Sequence, residues 1–97
     1  MLTATSPEIL AALAAWHEDG RASFYSYDYV PYDVARRKTA KDGSRWINLD
    51  SDRCGCYMVD KTSGDVWSIK AYGVPNRRLG TLAGFTAGHI KDHRYYR

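Results

Sequence analysis

A chain of 97 residues, 44% hydrophobic and 26% charged, makes one ordinary globular domain, residues 1–97, large enough to bury roughly two thirds of its unfolded surface but too short for a second core. Fourteen basic residues against 11 acidic ones give a net charge of +3, which excludes a strongly acidic imitation of DNA without making the chain a DNA binder. The longest apolar run, Ile9 to Trp16, is too short to span a bilayer, and Met-Leu-Thr-Ala-Thr lacks the basic opening of a secretory signal, so the expectation is a soluble cytoplasmic protein with no membrane partner.

Ser6-Pro7-Glu8, followed by Ile9, Leu10, Leu13 and Trp16, reads as an N-cap serine, a proline at the first helical position and an apolar stripe at helical spacing. This helix is expected to end near Gly20, to lay Ile9, Leu13 and Trp16 on a sheet, and to place His17 beside its C-terminus as an exposed capping group. In the next stretch, ASFYSYDYVPYDV, tyrosines 25, 27 and 29 alternate with Phe24, Ser26, Asp28 and Val30, the period of a strand that Pro31 ends or sets at an edge. With Tyr32 these tyrosines read as cross-strand packing or as a platform on which bases stack, and packing is the plainer reading.

Residues 35–44 are polar and basic, with turn chemistry at Lys41-Asp42-Gly43. The strand RWINLD then sets Ile47 and Leu49 on one face and Trp46 and Asn48 on the other, and Asp50 to Arg53 reads as another polar turn. Residues 56–60 and 66–72 form a hairpin around Lys61-Thr62-Ser63-Gly64, where the glycine supplies a positive φ. A simple register would put Tyr57 and Val59 on the face of Trp67, Ile69 and Ala71. Gly73-Val74-Pro75-Asn76 is expected to end the second strand and deliver Arg77-Arg78 on an exit loop. Beyond it, Leu79, Leu82, Phe85 and Ile90 fit an amphipathic helix, but Gly80, Gly84 and Gly88 each weaken it, so a short turn fits equally well.

The chemistry-bearing residues offer four readings. Cys54 and Cys56, one glycine apart, are spaced unfavourably for an intramolecular disulfide and do not make a secreted disulfide framework, in keeping with a reducing compartment. With His89 and His93 they could form a tetrahedral zinc set, yet Cys-x-Cys is tighter than the usual spacer, and two ordinary thiols with two exposed histidines is the preferred reading: no metal and no cofactor. No nucleophile elbow, P-loop or dinucleotide fingerprint frames the cysteines, histidines and aspartates, and Asp50, Asp52, Asp60 and Asp65 lie in or beside turns where aspartate has a local use, so the chain is read as a non-enzyme. Basic residues cluster at Arg36-Arg37-Lys38 with Lys41 and Arg45, at Arg77-Arg78, and at Lys91, Arg94 and Arg97; on one face, with tyrosines between them, they would hold phosphates and bases.

One string adds to this. Val59 to Leu82, VDKTSGDVWSIKAYGVPNRRLGTL, resembles a pattern in small uncharacterised proteins of phages and prophages: an aspartate, a Thr-x-Gly-type turn, an aromatic with Ile-Lys, then Tyr-Gly-Val-Pro-Asn and basic residues. Such accessory proteins include inhibitors of bacterial defence systems, anti-CRISPR proteins among them, which work by occupying a surface on an effector protein. The resemblance therefore implies a protein of the host bacterial cytoplasm that binds a defence protein or effector complex, while the basic charge departs from the acidic, DNA-like members of that class.

Together these readings predict one α+β domain, an N-terminal helix packed on a small, mostly antiparallel sheet of about four strands near residues 22–30, 44–50, 55–60 and 65–72. The expected function is inhibition of a defence complex through a contact surface of Tyr25, Tyr27, Tyr29, Tyr32, Arg36, Arg37, Arg77 and Arg78, since Tyr and Arg are enriched among binding hot spots. A small basic nucleic-acid-binding module using the same surface is the alternative, and the chain is expected as a monomer or homodimer.

Overall fold

The computed structural model describes residues 1–25, 38–51 and 54–90, and their side chains apart from those of 19–25. Among these residues helix α1, Pro7–Tyr25, comes first, then five strands, β1 (Lys38–Asp42), β2 (Trp46–Ser51), β3 (Cys54–Asp60), β4 (Asp65–Ala71) and β5 (Val74–Thr81), and a one-turn helix α2, Leu82–Thr86. The strands form one antiparallel meander in the order β1-β2-β3-β4-β5. This is the expected α+β class, with five strands where about four were expected.

Local chemistry accounts for the elements. Pro7 opens α1, whose first amide bonds return to the Ser6 carbonyl, while the Ser6 hydroxyl accepts from the Thr3 amide at 2.9 Å. The helix does not stop at Gly20. A mid-helix glycine costs only about 1 kcal/mol, and Arg21 and Ala22 beyond it are good helix formers, so residues 22–25 are helical and not the start of a tyrosine strand. His17 consequently sits inside the helix, two turns from its end. The remainder of the expected tyrosine strand, residues 26–30, lies outside the described residues.

Two strands were hidden by their polarity. KTAKD forms β1, an edge strand held by backbone pairing with β2, and VPNRRLGT forms β5 after the chain reverses at Tyr72-Gly73. Arg77 and Arg78 are therefore on a strand and not on an exit loop. At an edge, a proline, charged side chains and three register shifts against β4 are tolerated and discourage pairing with another chain.

The hairpin loop 61–64 forms as expected, with Gly64 at φ 76°, but its register differs. Val59 faces Val66, Tyr57 faces Ser68 and Met58 faces Trp67. Because side chains alternate, this one-residue difference puts Trp67 on the side of the sheet opposite Tyr57 and Val59. Ile47, Leu49, Tyr57, Val59 and Val66 make the inner face, covered by Ile9, Ala12 and Trp16 of α1 and by Leu82 and Phe85 of α2. Trp16, Tyr57 and Phe85 meet edge to face at centroid distances of 5.4, 6.0 and 5.1 Å. The C-terminal amphipathic pattern resolves into the short alternative: Thr81 caps α2 through the Gly84 amide at 3.0 Å, and Leu79 belongs to β5.

Candidate binding face

The same alternation that builds the inner face collects a second set of side chains on the other side. Directly paired residues Lys41, Asn48, Met58, Trp67 and Arg78 form one row across all five strands, and Trp46 opposite Asp60 begins the next. No helix among the described residues packs on this face. Met58 is nonetheless only 1% exposed, and beside it the half-buried indoles of Trp46 and Trp67 meet edge to face at 5.8 Å.

Arginines surround the tryptophans and are aimed by carboxylates. The Arg45 guanidinium lies 5.0 Å from the centre of the Trp46 ring and donates to Asp60 Oδ2 at 3.3 Å. Asp60 also accepts, through Oδ1, the amides of Thr62 at 2.8 Å and Ser63 at 3.3 Å, fixing the β3–β4 turn. The Thr62 amide is the main cause, with Ser63 and Arg45 assisting, of an Asp60 carboxyl held below the usual aspartate range. Arg78 makes a two-point contact with Asp65, Nε to Oδ2 at 3.0 Å and a terminal nitrogen to Oδ1 at 3.2 Å. That hydrogen bond lowers the Asp65 carboxyl and raises the Arg78 guanidinium from their ordinary values. Beside it, Arg77 is exposed, and its backbone N–H and C=O are both bonded by the Ser68 hydroxyl, at 3.3 and 3.4 Å, where the β4–β5 ladder skips.

At the far end of the face the β2–β3 register slips. Leu49 pairs with Tyr57 but Asp50 with Gly55, leaving Cys56 as the extra residue of a bulge. The slip turns Gly55 towards Ile69 and Tyr72, so closely that an added Cβ would lie 2.6 Å from the Tyr72 ring and 3.2 Å from Ile69. Tyr72, reaching over this glycine, donates its hydroxyl to Asp50 Oδ2 at 3.0 Å. Partial burial, then the Asp50 hydrogen bond and charge, raise the Tyr72 phenol above its usual value. Among the described residues Asp50 Oδ1 is buried without a hydrogen-bond partner.

Of the sequence-predicted contact residues, Arg78 is on this face and Arg77 at its rim. Tyr25 contributes the last residue of α1, and Tyr27, Tyr29, Tyr32, Arg36 and Arg37 lie outside the described residues. Trp46, Trp67, Arg45 and Tyr72 were missed as site residues, although the alternation Trp46/Ile47/Asn48/Leu49 already put Trp46 opposite the core. For the zinc reading, Cys54 is exposed, Cys56 buried and His89 exposed just after α2, and His93 is outside the described residues. Among the described residues no three metal-binding side chains converge. A groove of about 410 Å³ between α1 and α2, lined by Glu8, Ala11, Leu82, Ala83, Thr86 and Ala87, offers one carboxylate and otherwise small or apolar groups. Among the described residues no helix is long and apolar enough to cross a membrane.

Comparison with known proteins gives no significant match to this chain, whether to a family model, a curated protein or a solved structure.

Proposed function

We propose that this chain is a small accessory binding protein that lays the outer face of its sheet on a protein of a bacterial defence complex and blocks it. The observation that carries the binding reading is the Trp46–Trp67 pair, set at the centre of a sheet face that no described helix covers, with Arg45 stacked on one indole and Arg78 opposite the other. Tryptophan and arginine are among the residue types enriched at interface hot spots, and each half-buried indole here has one oriented guanidinium beside it. The lowered carboxyls of Asp60 and Asp65 support binding over acid–base chemistry, because both are committed as acceptors within the chain. The class of the partner rests on the phage-type string from Val59 to Leu82, most of which builds β4 and β5 of this face.

The nucleic-acid alternative draws on the same residues, since indoles stack on bases and Lys41, Arg45 and Arg77 supply exposed cations. Capture of tagged protein from bacterial lysate, with and without nuclease, separates the two. A stoichiometric protein partner that survives nuclease and is lost when Arg77 and Arg78 are both replaced by alanine supports the inhibitor reading. Loss of every partner on nuclease treatment, with affinity falling steeply against the logarithm of salt, supports the alternative. Capture unchanged in the double variant and in Trp67→Ala would remove this face from the function altogether.

A further inference from the structure

We infer that Cys54-Gly55-Cys56 is a redox-active dithiol that exchanges with a small-molecule disulfide of the glutathione class and closes a strained Cys54–Cys56 disulfide. The inference stands apart from the binding reading. In an extended strand, residues two apart share a face, and their Cα atoms are separated by about 6.6 Å. That is the far limit of the range of roughly 4.4–6.8 Å over which a disulfide can form, which is why the spacing reads as unfavourable for a structural bridge. The structure departs from a regular strand at this point. Cys56 is the extra residue of the β2–β3 bulge, where the chain bends, and its thiol, packed in the core cluster, donates to the backbone carbonyl oxygen of Cys54 at 3.6 Å. Cys54 is the first residue of β3 and pairs with Ser51 beyond the bulge, outside the Leu49–Tyr57 and Ile47–Val59 pairs, so the Cys54 end of the strand is the part that moves when the ring closes on the core-packed Cys56.

The two thiols also differ as an exchanging pair requires. Cys54 is exposed and Cys56 buried. The Cys54 thiolate attacks one sulfur of the small disulfide, forming a mixed disulfide and expelling one thiolate, which takes up a proton from solvent. The Cys56 thiol, after losing its proton to solvent, attacks Sγ of Cys54, closes the ring and expels the second small thiol. Two electrons and two protons leave the Cys54/Cys56 pair, and one disulfide is reduced to two thiols. Gly55 lies so near the Tyr72 ring that an added Cβ would meet it, so closure across Gly55 is felt at the Tyr72–Asp50 hydrogen bond, and a disulfide at the far limit of its geometric range opens again readily in a reducing pool.

The test equilibrates the reduced, full-length protein with mixtures of glutathione and glutathione disulfide, quenches in acid, alkylates, and reads intact and peptide masses. The expected result is loss of two hydrogens from the peptide holding Cys54 and Cys56, protection of both from alkylation, and full reversal by dithiothreitol. Cys56→Ser and Cys56→Ala should instead retain a glutathione adduct on Cys54. The inference is overturned if the native chain keeps a glutathione adduct on Cys54, joins to a second chain, or retains both thiols across the whole range of glutathione ratios. The decisive readout is the native protein, so a variant that folds poorly does not blunt it.

Discussion

Asp60 is the residue on which the outer face and the β3–β4 turn depend together, and its removal can be worked through from the structure. In Asp60→Ala the turn loses two backbone bonds, from Thr62 at 2.8 Å and Ser63 at 3.3 Å, and Arg45 loses its anchor at 3.3 Å. Hydrogen bonds to a charged acceptor contribute roughly 1.5–3 kcal/mol each when fully formed. Thr62 and Ser63 are exposed and water replaces much of what is lost, and Arg45, with its side chain 70% exposed, adds only what a surface pair adds. The net cost should be about 2 kcal/mol, a fall in Tm of roughly 8–16 °C for a domain of this size.

The pH dependence sharpens the test. Asp60 has its carboxyl lowered in the folded state, so its contribution is complete above the unfolded value of about 3.9 and is lost as pH falls through the folded value below it. Asp60→Asn keeps an oxygen acceptor but not the charge. Its stability deficit against the native chain should be flat from neutral pH to about pH 5 and should shrink on further acidification. Thermal unfolding of the three proteins from pH 7 to pH 3, followed by circular dichroism, makes the measurement. A Tm for Asp60→Ala within about 2 °C of native, or a deficit in Asp60→Asn that does not change with acid, would refute the assignment of Asp60 as a charged turn clamp.

Other perturbations test the remaining contacts. Tyr72→Phe removes the hydroxyl that bonds Oδ2 of the buried Asp50 carboxylate, whose Oδ1 has no partner among the described residues, and should cost about 1–3 kcal/mol in urea unfolding. Because the Tyr72 phenol is raised when folded, its contribution should be complete below about pH 10 and lost as pH rises beyond that, so the native and Phe proteins should converge in strong alkali. Gly55→Ala puts a methyl 2.6 Å from the Tyr72 ring and 3.2 Å from Ile69, and should cost about 1–3 kcal/mol by the same assay. Ser68→Ala removes the hydroxyl that bridges both backbone groups of Arg77 and should lower stability by about 1 kcal/mol and speed amide exchange at Arg77.

What was legible in the sequence follows the strength of the local signal. Pro7 after Ser6, the split of Ile47 and Leu49 from Trp46 and Asn48, and the glycine of the 61–64 loop each rest on backbone chemistry that no distant contact overrides. The register of β3 against β4 was not legible, because a loop that closes with Asp60 holding the Thr62 and Ser63 amides shifts pairing by one residue and exchanges the faces of Val66 and Trp67. Strands β1 and β5 escaped for another reason: edge strands are held by backbone bonds, so KTAKD and VPNRRLGT need not carry apolar alternation to pair. The tyrosine alternation misled in its first residues, where α1 continues through Tyr25. As a result, attention to tyrosines missed the tryptophans that the face presents.

The charge arrangement on that face bears on how it would bind. Arg45 and Arg78 are long side chains with much rotamer freedom, and freezing such a side chain on association costs roughly 0.5–1.5 kcal/mol. Here Asp60 already holds Arg45 across Trp46, and Asp65 already holds Arg78 on the strand beside Trp67. Each pair contributes little to the stability of the isolated domain, being at the surface. Its larger effect is to leave a planar, oriented guanidinium next to an indole before any partner arrives, so that less order has to be imposed on contact. Replacing Asp65 by asparagine should therefore change the domain's Tm by no more than a degree or two, yet weaken partner binding through faster dissociation, because Arg78 is no longer held in place. A binding rate and lifetime unchanged in Asp65→Asn would mean that the Arg78–Asp65 pair serves only the strand edge it sits on.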